Sequence, residues 1–236
     1  MSRIAIMTDS NSGIMPAEAS NDGIHVLPMP IIIDGTTYFE GIDITVEEFY
    51  QKQTSGSVIT TSQPSPGDVT GMWDRLLQTH DEIVFIPMSS GLSNTCQTAL
   101  LLADEEPYKD RVFVADNHRI SVTQALSVLD AKSLAEKGLT AREIRDILEE
   151  EAMDATIYIA VDTLEYLKKG GRITAAAATL GTILKIKPVL TIQGDKLDSF
   201  AKARGMKSAF RVMVEAVKAD ITSRLSHLRE QGLLKV

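Results

Sequence analysis

The sequence predicts an α/β protein of two domains, an N-terminal mainly parallel sheet covered by helices and a C-terminal α+β domain. Three observations carry this. Short β-branched runs alternate with helical periodicity through the first 150 residues, the pattern of strands joined by crossover helices. Hydroxyl-rich stretches sit beside those runs, where open α/β sheets place their ligands. From about residue 154 the texture changes to a strand, a short helix, a hairpin and one long amphipathic helix. The expected division is therefore 1–153 and 154–236.

Residues 3–7, 24–33, 83–86 and 111–115 read as strands. The clearest helix spans 68–79, with Val69, Met72, Trp73, Leu76 and Leu77 on one face. Ser65 is its expected N-cap, Pro66 its first position and Asp68 an acid in its first turn. A second helix starts at Thr140, whose capping box with Glu143 precedes Ile144, Ile147 and Leu148. In the second domain, 156–161 is an apolar strand. A short helix over 164–169 follows, stopped by Gly170-Gly171. Thr174 can cap a small-residue helix over 175–184, ahead of a strand at 188–193. Gly194-Asp195 is a hairpin signal that returns the chain antiparallel over 196–203. Apolar positions from Phe210 through Val214, Val217 and Ile221 to Leu228 predict one long helix. A hairpin and a helix make a thin domain, so the strand at 156–161 is expected to join the same sheet.

Bulk properties narrow the function. A net charge of −8 and a pI near 5.1 offer no basic field for nucleic acid. A single cysteine, Cys96, excludes an internal disulfide framework and fits a reducing compartment. The N-terminal apolar run is too short for a signal peptide, and no stretch reaches membrane-span length. A cytoplasmic protein is expected.

Four polar segments are candidates for chemistry: 8–12, 60–65, 89–95 and 116–121. Each alone could be a helix-capping loop, because Ser, Thr, Asn and Asp satisfy helix N-termini. Several together at one sheet edge make a site. No Lys or Arg lies between Met88 and Leu102 or between Gln53 and Asp74, and the P-loop pattern is absent. Phosphate clamps usually add a basic partner, so a singly charged carboxylate held by hydroxyls and amides fits better. GLSNT at 91–95 matches only the first half of a nucleophile elbow, since Thr95 stands where the second glycine belongs. His118, just after a strand, is the best base candidate among four histidines. A serine hydrolase using Ser93 or Ser90 stays open as an alternative. The lone cysteine and scattered histidines offer no metal-ligand spacing.

Taken in order, TDS at 8–10, TSQPSPGD at 61–68, IPMSSGLSNT at 86–95, VDTLEYLKKGGRI at 161–173, ILKIKPVL at 183–190 and ARGMKSA at 203–209 resemble the DegV family of bacterial fatty-acid-binding proteins. The resemblance implies a two-domain protein that encloses one long-chain fatty acid between its domains. It further implies a non-catalytic subunit, without cofactor, that presents the carboxylate to a fatty acid kinase for acyl phosphate formation in phospholipid synthesis. By motif match, Thr61 and Ser93 take the carboxylate, with Ser62 and Asn94 as close neighbours. Family members usually carry glycine and an aromatic residue where this chain has Asn94 and Cys96. The basic residues Arg172, Lys202, Arg204 and Lys207 stand out on an acidic chain and are candidate kinase contacts, with a transient membrane-surface contact also open. The family typically runs further, ending in strands with a histidine and a Gly-Pro-Gly turn, so the resemblance implies a second domain larger than 154–236. A ligand-responsive regulator without transfer activity is the third possibility.

Overall fold

A computed structural model of the chain describes residues 2–19, 23–174, 177, 186–193 and 196–235. The chain divides into two compact units, Met1–Ala152 and Met153–Val236.

The first unit is built on a four-stranded parallel sheet of β1 (Ile4–Asp9), β2 (Ile24–Leu27), β6 (Glu82–Ile86) and β7 (Val112–Val114), in the order β2-β1-β6-β7. Its strands are apolar on both faces, as a sheet covered by helices on both sides requires. Met7, Ile83, Phe85 and Val114 pack on one face with Val69 and Trp73 of α3 (Pro66–Leu76) and Ala99 of α4 (Thr95–Ala103). Ile6, Val84, Ile86 and Phe113 pack on the other with Val128 and Ala131 of α5 (Ser121–Glu136) and Ile144 and Leu148 of α6 (Ala141–Glu150). Trp73 is fully buried and meets Phe85 and Tyr108 edge-on, a geometry that aromatic quadrupoles favour. The N-cap expected at Ser65 and the capping box expected at Thr140 are both formed, and the Ser65 cap proves to be a full box with Asp68.

The run 24–33, expected as one strand, is two. Pro28 and Pro30 remove backbone donors, and the chain leaves the parallel sheet between them. β3 (Pro30–Ile33) lies instead at the centre of a separate antiparallel sheet, flanked by β4 (Thr36–Phe39) and β5 (Ile59–Thr61). Between β4 and β5 lies α2 (Val46–Thr54). Its capping box (Thr45 with Glu48) is complete, yet it buries none of its side chains.

The second unit contains β8 (Ile157–Ala160), β9 (Ile186–Ile192) and β10 (Asp198–Arg204) in one antiparallel sheet of order β10-β9-β8. The strand near 156–161 does join the hairpin strands. The short helix α7 (Glu165–Gly170) ends on Gly171, which takes the left-handed φ of 70° that glycine adopts without strain. Helix α8 (Met206–Thr222) covers one face of the sheet, with Ala209, Val212 and Met213 against Val189, Ala201 and Ala203. The single helix expected to reach Leu228 breaks at Ser223 and restarts as α9 (Ser226–Glu230). The Arg224 guanidinium explains the break: it donates to the carbonyls of Met153 (2.7 Å) and Ala155 (3.3 Å). Leu225 remains buried, so the apolar spacing runs through the interruption unchanged. Thr174 accepts the Ala177 amide at 3.2 Å, as a cap would. The rest of the expected helix over 175–184, the first residues of ILKIKPVL and the Gly194-Asp195 turn lie outside the described residues.

Candidate functional site

In the strand order β2-β1-β6-β7, the chain winds outward in opposite directions from β1 and β6. Their carboxyl ends therefore flank the topological switch point, where open α/β sheets leave a crevice for ligand. Two of the polar segments, 8–12 and 89–95, leave those ends, and 116–121 leaves the neighbouring end of β7.

The floor of this crevice is a knot of buried polar groups. Thr8 donates to the Ile86 carbonyl at 2.7 Å. Gln124 Nε2, from α5, reaches Thr8 Oγ1 (3.0 Å), the Ile86 carbonyl (3.1 Å) and Asp9 Oδ1 (3.2 Å). Asp9 also accepts the Met88 amide on Oδ2 at 2.8 Å and both the amide and the side-chain nitrogen of Asn11 on Oδ1 at 3.0 Å. Burial pushes the Asp9 carboxyl above its usual range, opposed by these donors.

Above the knot, the loop between β6 and α4 is tied amide by amide. Ser89 N–H donates to the Arg119 carbonyl (2.8 Å) and Ser90 N–H to Asp116 Oδ1 (3.3 Å). Leu92 and Ser93 N–H both donate to the Ser89 carbonyl. Ser93 Oγ accepts the Thr95 amide at 3.2 Å and shares a 2.8 Å hydrogen bond with Thr95 Oγ1. Beyond this point the ties stop. Asn94, at the N-cap, makes no side-chain cap, and the amides of Asn94, Cys96 and Gln97 find no acceptor among the described residues. Helices α2, α3 and α6 carry full capping boxes, whereas α4 and α5, which start at the crevice, carry no side-chain cap. An uncapped N-terminus with a half-buried serine beside it can receive an anion through N–H groups and the helix dipole.

The loop after β7 holds two non-glycine residues at left-handed φ, His118 at 54° and Ser121 at 56°. Its Asp116 carboxylate receives the Ser90 amide. Burial, then Asp116, pushes the Cys96 thiol up, so it is a packed, unreactive group.

The sequence-predicted residues fall in two places. Ser93 and Asn94 sit at the α4 N-terminus, half-buried and exposed respectively. Thr61 ends β5, opposite Ile31, and Ser62 follows it with its hydroxyl turned to the Gln63 carbonyl; both are exposed. The segment 60–65 thus arrives from the antiparallel sheet, not from a carboxyl end of the parallel one. It meets α4 through Gln63 Oε1, which accepts Thr98 Oγ1 at 3.4 Å. Ser93 Oγ is engaged by Thr95, while His118 Nδ1 lies 4.0 Å from Asp116, so the structure pairs neither with the other as a nucleophile and base. The sequence does not single out Asp9, Gln124 or Gln63. Asp9 and Gln63 lie in polar segments whose composition names no individual residue. Gln124 lies on a helix whose apolar pattern is weak.

In the second unit, Lys202 and Arg204 share one face of β10 by strand alternation, and Lys207 follows in the first turn of α8; all three are exposed. Arg172 is half-buried and donates to the Gly170 carbonyl. Among the described residues no group of three or more His, Cys, Asp or Glu gathers as metal ligands would. No helix among them is long and apolar enough to cross a membrane.

Fold and site together define a two-unit α/β protein with hydroxyl-rich loops gathered at the switch point of its parallel sheet. The chain belongs to the DegV family: the family model, described as an uncharacterised protein of the DegV family, matches residues 3–227. A DegV domain-containing protein of Caldanaerobacter subterraneus is 34% identical over 92% of this chain and 78% of its own. Among solved structures, a DegV family protein from Thermus thermophilus, described by its fatty acid binding, is 36% identical with a TM-score of 0.82 over 92% of this chain and 77% of that one. DegV of Bacillus subtilis, described as a fatty acid binding protein, is 29% identical with a TM-score of 0.81 over 94% and 79%.

Proposed function

We propose that this protein binds one long-chain fatty acid, its carboxylate held by Ser93 and Thr61 with Ser62 and Asn94 beside them, and offers that carboxylate to a fatty acid kinase. The observation that carries the reading is the start of α4, where the amides of Asn94, Cys96 and Gln97, which find no acceptor among the described residues, follow the Ser93 hydroxyl in sequence. The fatty-acid-binding descriptions of the Thermus and Bacillus relatives support it.

Energetics favour a carrier. Burying a sixteen-carbon tail contributes on the order of 10 kcal/mol at about 0.8 kcal/mol per methylene. Each hydroxyl bonded to a carboxylate adds about 1.5–3 kcal/mol before desolvation of the charge is subtracted. The tail therefore sets affinity and the polar groups set orientation. A grip without arginine leaves the carboxylate free to react. In this scheme the protein performs no chemistry itself, and Lys202, Arg204, Lys207 and Arg172 form the kinase-facing surface.

Native mass spectrometry of protein purified from a bacterial host tests the binding. A co-purifying mass of palmitate or a close homologue, diminished in Ser93→Ala and Thr61→Ala, is expected; lipid-free protein that takes up no added palmitate refutes it. Replacing Arg172 and Arg204 by Glu should slow acyl phosphate formation with the lipid still bound. Unchanged turnover rules out the docking role. Esterase activity lost in Ser93→Ala would instead establish the hydrolase.

A further inference from the structure

We infer that Asp9 is a positioning residue, a buried pin that fixes the loop between β6 and α4 so that the Ser93 hydroxyl and the α4 amides point into the crevice. The inference rests on the reading of that loop as a carboxylate grip.

Asp9 is fully buried at the end of β1, and its carboxylate accepts four hydrogen bonds among the described residues: from the Met88 amide, the Asn11 amide, Asn11 Nδ2 and Gln124 Nε2. A carboxylate, which only accepts, matches that set. The contact that matters most is Oδ2 to the Met88 amide at 2.8 Å, spanning 79 residues of sequence. Met88 is the first link of a chain of ties. Ser89 carries the amides of Leu92 and Ser93 on its carbonyl and that of Gly91 on its hydroxyl. Ser93 Oγ in turn carries the Thr95 amide. A shift at Met88 therefore propagates to Ser93 through short hydrogen-bonded steps. Gln124 steadies the pin from α5, and its Nε2 joins the ends of β1 and β6 as well.

An asparagine in place of Asp9 keeps the size but must aim its NH₂ at a donor. Turned toward Oδ1's position it would face three donors; turned toward Oδ2's it faces only Met88. The second is cheaper, so Asp9→Asn releases the Met88 amide in particular.

The test compares ligand-free wild type, Asp9→Asn, Asn11→Ala and the core variant Ile144→Ala by hydrogen-exchange mass spectrometry, thermal melting and displacement of a fluorescent fatty acid by palmitate. Asp9→Asn should speed exchange across residues 88–95 and weaken palmitate about 10-fold, the loss of one charge-assisted hydrogen bond. Asn11→Ala, which leaves Met88 held, should stay within about two-fold. Ile144→Ala should lower the melting temperature without a matching loss of affinity. The inference is overturned if Asp9→Asn leaves exchange at 88–95 unchanged, or weakens palmitate no more than Ile144→Ala does. Should Asp9→Asn not fold, Asp9→Glu keeps the acceptors but displaces them by a methylene and is read the same way. Wild type that ignores palmitate would sink the carboxylate reading alone, because the exchange arm needs no ligand.

Discussion

The two hydroxyls proposed to share one carboxylate stand on opposite kinds of support. Ser93 opens a helix whose first turns are in the core, with Thr95, Cys96 and Ala99 buried, and its loop is tied down from Met88 onward. Thr61 ends an exposed strand of the antiparallel sheet, whose helix α2 buries nothing and leaves Val46 and Tyr50 more than half exposed. One side is built for geometry, and the other has few buried contacts to resist local opening. The difference teaches that equal chemistry need not mean equal support: in the proposed grip, Ser93 is the rigidly held contact and Thr61 the loosely held one.

The largest test of this contrast lies in the supports themselves. Trp73→Ala should cost about 3–5 kcal/mol in urea unfolding, because it empties a fully packed aromatic site. Tyr50→Ala on α2 should stay within about 0.5 kcal/mol. Comparable losses would erase the distinction. Next comes the ligand pair. Ser93→Ala should weaken palmitate about 10-fold and also cost about 1 kcal/mol of stability, since Ser93 Oγ carries the Thr95 amide. Thr61→Ala should weaken palmitate to a similar degree with almost no change in melting. A smaller effect is expected from Gln63→Ala. Losing its 3.4 Å link to Thr98 should lower affinity about two-fold at unchanged stability.

The subtlest test is the sign of pH dependence. Each support uses an aspartate as a backbone pin: Asp9 takes the Met88 amide and Asp34 the Val58 amide. Burial raises the Asp9 carboxyl above its ordinary 3.8, whereas the exposed Asp34 is lowered below it by its bond to Val58. When the folded value is raised, the contribution to stability is present at low pH and fades as pH rises from 3.8 through that value. When it is lowered, the contribution is present above 3.8 and fades as pH falls through the folded value. Melting curves across acid pH should therefore lose opposite slopes in Asp9→Asn and Asp34→Asn. Slopes of the same sign would contradict the assignment of Asp9 as buried and Asp34 as exposed.

Much of the first unit was legible because its signals are local. The N-cap at Ser65 and the capping box at Thr140 need only residues within one helical turn, and the apolar strands announce a sheet covered on both faces. The split at Pro28–Pro30 was legible in principle, since two prolines cannot sit in one central strand, yet apolar content outweighed them. The break at Ser223 was not legible, because Arg224 caps carbonyls some 70 residues away and the apolar spacing continues across it. At the crevice, hydroxyl composition and the lack of nearby Lys or Arg pointed to a neutral grip. What composition could not supply was the pairing of Asp9 with Met88 or of Gln124 with Thr8. Those depend on strand order and on which helix crosses the switch point.

The most direct measurement of the central claim is calorimetric titration of wild type and Ser93→Ala with palmitate and with hexadecanol, which shares the tail but lacks the charge. A carboxylate grip at Ser93 predicts that wild type prefers palmitate and that Ser93→Ala loses about 10-fold for palmitate but little for hexadecanol. Equal losses for both ligands, or none for either, would show that Ser93 does not hold the carboxylate.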